Sequence, residues 1–151
     1  MKADKLTKIL ASFFGAGYSP ILPGTTGTLF AIPAYYGLTL LGPIPYIAIT
    51  AALVLIAIPI ADRAEKIFGK KDARQIVIDE VAGYLVTMLF FWKFDPIAAA
   101  IGFLAFRFFD IVKVPPANMI ERIGGGAGVV LDDIAAGAHA CIATHIIMLL
   151  I

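Results

Sequence analysis

The chain has 151 residues, of which 60% are apolar and 15% charged, with a mean hydropathy of +0.91; soluble domains run roughly 45–50% apolar and about 25% charged, so the composition argues against a water-soluble globule. Twelve Lys/Arg against eleven Asp/Glu leave a net charge of +1, without the cationic excess that a nucleic-acid partner needs. The one cysteine, Cys141, excludes an intramolecular disulfide and a cysteine-based zinc site. The length suits one domain, residues 1–151, built in a bilayer from four or five short helices around a common interior.

Residues 1–14 alternate Lys5 and Lys8 with Leu6, Ile9, Leu10, Phe13 and Phe14. No small-residue cleavage site closes a short apolar region, so the segment is expected to be an interfacial helix rather than a signal. From Ile9 to Ala61 there are 53 consecutive uncharged positions, room for two spans of about 17–25 residues each. They are expected over Thr28–Leu41 with its flanks and over Ile44–Ala61, joined by a turn at Gly42-Pro43-Ile44-Pro45. A third span over Val81–Trp92 reaches crossing length only by including Ile76–Glu80, and further spans are expected over Pro96–Val112 and Ile134–Ile151. Lysine and arginine set orientation: Lys2, Lys5 and Lys8 precede the first span, the one-to-two turn is uncharged, and Arg63, Lys66, Lys70, Lys71 and Arg74 fill the two-to-three loop. The N-terminus is thereby expected inside and the C-terminus outside. The fold class is an all-α polytopic membrane helix bundle.

In that topology the remaining acids gather at the cytoplasmic interface: Asp79 and Glu80 open the third span, Asp110 closes the fourth, and Asp132 and Asp133 open the fifth. Helix capping explains acids at a helix start but not Asp110, whose position at a helix C-terminus is disfavoured for an anion. Arg107 and Lys113 each stand three positions from it, on neighbouring helical faces. Arg107 lies between Phe103-Leu104-Ala105-Phe106 and Phe108-Phe109, and an ionisable group inside an apolar span is a functional candidate by default. Its planar fork suits phosphate. Carboxylates from three helix ends form an all-oxygen set, which favours Mg²⁺ and disfavours zinc. Adjacent helical residues diverge by about 100°, so one member of each acidic pair is expected to ligate. His139 and His145 lie about 120° apart and read as packing residues.

Two glycine-rich segments are expected as loops on the same side, residues 15–28 and 124–128. The first joins Ser19, Gly24, Thr25, Thr26 and Gly27 in a segment stiffened by Pro20 and Pro23; backbone N–H groups there can cradle an anion. The second reads equally as a flexible loop. Neither matches a Walker motif, so no nucleotide is indicated.

Four runs, Ser19–Thr28, Ile76–Gly83, Phe106–Lys113 and Gly125–Gly137, in this order resemble the phosphatidylglycerophosphatase A family. The resemblance implies a Mg²⁺-dependent bacterial inner-membrane phosphatase whose active site faces the cytoplasm and whose partner is a membrane phospholipid, phosphatidylglycerophosphate, converted to phosphatidylglycerol. Asp79, Glu80, Asp132 and Asp133 would supply metal ligands, Asp110, Arg107 and Lys113 the catalytic groups, and Ser19, Gly24, Thr25, Thr26 and Gly27 the substrate contacts. Two departures from the family pattern are Val114 after Lys113 and Gly124 where a basic residue often stands. Direct attack by water and a covalent intermediate on Asp110 both remain open. A histidine-based lipid phosphatase would need histidine at the cytoplasmic interface. A small cation transporter or channel could use the same acids and would predict ion flux without phosphate release; a purely structural subunit leaves Arg107 and Asp110 unexplained. Oligomeric state has no signature in the sequence.

Overall fold

The computed structural model describes residues 2–151 as seven α-helices and two short 3₁₀ turns, with no strand among the described residues. α1 spans Lys2–Ala11, α2 Pro23–Thr39, α3 Pro43–Phe68, α4 Ile78–Thr87, α5 Pro96–Val112, α6 Ala117–Ile120 and α7 Gly125–Leu150. Local chemistry explains several boundaries. Pro43 and Pro96 stand at first helical positions, where the missing N–H costs nothing. Asp95 caps α5 by accepting from the N–H groups of Ile97 (2.8 Å) and Ala98 (3.0 Å), and α3 ends at Gly69 in the left-handed conformation that glycine adopts without a Cβ penalty.

Two helices, α3 and α7, each of 26 residues, are long and apolar enough to cross a membrane; α2 and α5, of 17 residues each, lie at the lower limit of about 17–25. The expected third span is corrected: α4 has 10 residues, about 15 Å of helix. From Met88 to Asp95 the chain is irregular, and its backbone still needs hydrogen-bond partners. Buried Tyr35 provides two of them, its Oη lying within donating distance of the carbonyls of Phe91 (3.2 Å) and Lys93 (3.1 Å), while Tyr46 Oη donates to Leu85 at the end of α4 (2.8 Å) and Tyr84 Oη to Ala99 in α5 (2.9 Å). The fifth span is corrected in the other direction. α7 begins at Gly125, so the second glycine-rich segment is helix from Gly125 onward, and Asp132 and Asp133 lie two turns inside α7 rather than opening it.

α7 is the central element, packed against α3, α4 and α5. It meets α4 at two glycines: a β-carbon on Gly137 would stand 2.4 Å from the Gly83 carbonyl oxygen, a backbone approach typical of small residues between membrane helices. Outward faces are apolar, with Leu29, Phe30, Leu55, Leu104, Phe108 and Ile142 exposed. Buried Thr28, Thr87 and Thr144 return their hydroxyls to carbonyls of their own helices, so they need no polar interior. α1 rests on α3 through buried Thr7 and Ala11 and an Asp4–Arg63 ion pair at 2.9 Å, leaving Leu6 and Ile9 exposed.

Candidate active site

The first turn of α4, the C-terminal end of α5 and the second and third turns of α7 converge at one end of the bundle. There Asp79, Glu80, Asp110, Lys113, Asp132 and Asp133 line a cavity of about 250 Å³. Asp79, Glu80 and Asp133 each present a carboxylate oxygen, and these oxygens lie within 4.8 Å of one another. Both members of the first pair therefore turn toward a common point, despite their divergence along the helix. In the second pair Asp133 faces that point, while Asp132 pairs with Lys113 and accepts the Asp133 backbone N–H at 2.9 Å.

Arg107 reaches the same end of the cavity, with Nη1 2.7 Å from Asp110 Oδ2 and 4.0 Å from Glu80 Oε1. The contact with Asp110 is an ion pair by distance, but Nε and Nη1 are buried without an aligned hydrogen-bond acceptor. Lys113 departs from expectation: it turns away from Asp110 toward Asp132 and lies 3.7 Å from Glu121. A left-handed backbone at Lys113 (φ 50°, ψ 60°) ends α5 and redirects the side chain across to α7. Burial works against its charge, but the hydrogen bond and attraction of Asp132 prevail and raise the lysine above its ordinary range.

The donor set fits a hard divalent cation. Asp79 Oδ1, Glu80 Oε2 and Asp133 Oδ2 are buried with no hydrogen-bond donor, a costly arrangement for anionic oxygens unless a cation neutralises them. An all-carboxylate set selects Mg²⁺-like over zinc-like ions by ligand hardness.

The first glycine-rich segment is placed differently from the expected loop. Gly24, Thr25, Thr26 and Gly27 form the first turns of α2, and only Ser19 lies in the preceding connection. Ser19 Oγ donates to the Ile21 carbonyl and Thr26 Oγ1 to the Leu22 carbonyl, and none of the five lines the acidic cavity. Gly24 is the one that abuts it: a β-carbon there would stand 2.2 Å from Glu80 Oε1 and 3.3 Å from Arg107 Nη1. Gly27 packs instead on Val77. Three charged lining residues escaped the sequence reading as site residues, Lys71, Asp72 and Glu121. Their only signal was position in charged connections, where solvated residues look the same. His139 and His145 bond back to the carbonyls of Ala135 and Cys141 and pack on Phe109 and Phe91, as packing residues would.

The sequence matches phosphatidylglycerophosphatase A as a family over residues 9–148. The chain belongs to the phosphatidylglycerophosphatase A family. Membership makes it an enzyme of the phosphatase class, and each of the four sequence runs sends a residue to the acidic end: Gly24 from the first, Asp79 and Glu80 from the second, Arg107, Asp110 and Lys113 from the third, Asp132 and Asp133 from the fourth. A phosphatidylglycerophosphatase A of Escherichia coli K12 is 37% identical over 138 residues, covering 91% of this chain and 80% of its own. One of Haemophilus influenzae is 32% identical, covering 89% and 83%. A Bacteroides thetaiotaomicron relative, 36% identical with 91% and 90% covered, is provisionally named a phosphatidylinositol-3-phosphatase. All three relatives carry phosphatase names, and the cation-transport reading finds no support among them. No solved structure matches the chain.

Proposed function

We propose that this chain hydrolyses the terminal phosphomonoester of phosphatidylglycerophosphate to give phosphatidylglycerol, as a multi-pass protein of the bacterial inner membrane with its active site on the cytoplasmic side. The observation that carries the reading is the trio of buried, donorless carboxylate oxygens on Asp79, Glu80 and Asp133, beside an arginine with unfilled donor directions. Asp79, Glu80 and Asp133 would hold Mg²⁺, which when bound neutralises phosphate charge and acidifies a water molecule. Arg107 donates from its guanidinium to the phosphate oxygens and stabilises charge in the transition state. Asp110 fixes the guanidinium in that orientation. Lys113 neutralises Asp132 and keeps the carboxylate-rich wall compatible with a phosphate dianion. Gly24 leaves room for Glu80 and Arg107 to stand side by side.

In the overall reaction the phosphorus–oxygen bond to glycerol breaks, water supplies the new oxygen on phosphorus, and its proton goes to the departing alcohol. Direct attack by water inverts a chiral phosphorus, whereas a route through Asp110 retains it. The test is phosphate release from phosphatidylglycerophosphate by detergent-purified protein. Release that is lost in chelator and restored by Mg²⁺, and that falls by about 10³-fold or more in Asp79→Asn and Asp133→Asn, supports the metal site. Full release in both variants would overturn it. Phosphatidylinositol 3-phosphate serves as the competing substrate, in view of the Bacteroides relative.

A further inference from the structure

Three cations serve the acidic cavity, and two of them are engaged. Arg107 faces Asp110 and Glu80, and Lys113 faces Asp132 and Glu121. Lys71, from the connection between α3 and α4, lines the wall and among the described residues has no carboxylate within ion-pair distance. The same wall carries seven carboxylates, and an ammonium on a flexible stem readily folds onto such a partner.

Lys71 stands instead beside Gly124, with Nζ 3.7 Å and Cε 3.9 Å from the point where a β-carbon on Gly124 would lie. Gly124 has a φ of 75°, a conformation that residues with side chains rarely adopt. No side chain projects from residue 124 over the Lys71 ammonium, which stands at ordinary contact distance from it on the rim of the cavity. Lys71 is exposed, so its charge is held in water at the rim at little desolvation cost, available to an incoming anion.

We propose that Lys71 binds the internal phosphodiester of the substrate, so that the cavity recognises a headgroup with two anionic groups separated by a glycerol. This rests on the phosphatidylglycerophosphate reading. The terminal dianion is assigned to Arg107 and the carboxylate-held cation, which leaves the diester monoanion for the remaining free cation on the wall. A charge-assisted hydrogen bond from the ammonium gives the contact strength without geometric demand. Lys71 is thus a specificity-determining residue outside the phosphoryl-transfer step.

Dihexanoyl phosphatidylglycerol is the probe, because it keeps the diester and lacks the terminal phosphate. In the full chain in detergent, Lys71→Gln should weaken equilibrium binding of this probe, and raise KM for phosphatidylglycerophosphate, by about tenfold each. kcat should stay within about twofold, because uniform binding is lost and not transition-state binding. Lys71→Arg should restore most of the affinity. Lys70→Gln, at the neighbouring exposed lysine outside the cavity wall, should change neither quantity. Loss of kcat at unchanged KM, an equal effect of Lys70→Gln, or probe binding that is absent from the wild type or unmoved by Lys71→Gln would each overturn the assignment. Probe binding is read without turnover: a wild type that binds through Lys71 yet releases no phosphate from phosphatidylglycerophosphate refutes the substrate reading alone.

Discussion

Lys113 illustrates how much of the site depends on single backbone conformations. Its spacing from Asp110 suggested an ion pair along α5, as i and i+3 neighbours make, and Arg107 does form that pair at 2.7 Å. Lys113 does not, because the helix has already ended beneath it in a left-handed turn. Pro115 and Pro116 mark the end of the helix, but no local signal sets the left-handed conformation at Lys113, and the partner, Asp132, is buried 19 residues away. Removing one partner of a buried pair strands the other charge, so Lys113→Met should destabilise the protein by about 3 kcal/mol, the low end of the range because the lysine is partly exposed. The double variant with Asp132→Asn should recover most of that loss, which thermal unfolding in detergent would register as a coupling between the two positions. The raised lysine contributes fully at pH values below its ordinary range and is lost as pH rises through its folded value. The coupling should therefore persist from neutral into alkaline pH and weaken in acid, where Asp132 takes up a proton and the pair loses its negative partner.

At the scale of elements, α5 was legible from end to end: Pro96 at its start, the Asp95 cap and an apolar run of the right length all agree. α4 and α7 were not. Hydropathy alone extends the third span through Trp92, but the chain leaves helix after Thr87, and the tyrosine that satisfies carbonyls of the irregular backbone, Tyr35, comes from α2. Glycines at 125–128 suggested a loop on propensity, yet they begin α7, where Gly126 allows backbone contact with α3: its β-carbon would stand 2.1 Å from the Ile58 carbonyl oxygen. Tertiary packing outweighs propensity there. Because the α4–α7 crossing sets the spacing between Asp79 and Asp133, Gly137→Leu should both cost about 1–3 kcal/mol of stability by overpacking and lower phosphate release. Gly24→Ala separates the two effects. Its β-carbon would meet the movable end of Glu80 rather than backbone, so the unfolding temperature should hardly change while kcat falls by about 10²-fold, as a displacement near 1 Å at reacting groups can produce. An unchanged kcat would free Glu80 from the role proposed for it.

Across the whole molecule the charges sort by end. α4 starts and α5 finishes at the acidic cavity, so the connection between them, with Lys93 and Asp95, lies at the other end of the bundle. Lys93 is the one Lys/Arg of the twelve placed there; those of α1, the α3–α4 connection and the segment around α6 all lie on the site's side. An asymmetry this strong predicts that the cavity faces the cytoplasm. It also predicts how the shortened α4 is accommodated: its 10 residues together with the irregular segment to Asp95 descend to the depth from which the 17 residues of α5 return, with the non-helical part enclosed by protein as a bilayer requires. Single cysteines test this directly, since the native Cys141 is buried. Cysteine at the exposed positions Lys70 and Arg122 should react with a membrane-impermeant maleimide in inverted inner-membrane vesicles, and cysteine at exposed Leu41 and Lys93 should react in intact spheroplasts. Reaction of positions 70 and 93 from the same side would remove the α4–α5 hairpin from the membrane. Reaction of positions 70 and 122 only from outside would place hydrolysis, and with it the newly made phosphatidylglycerol, on the opposite leaflet.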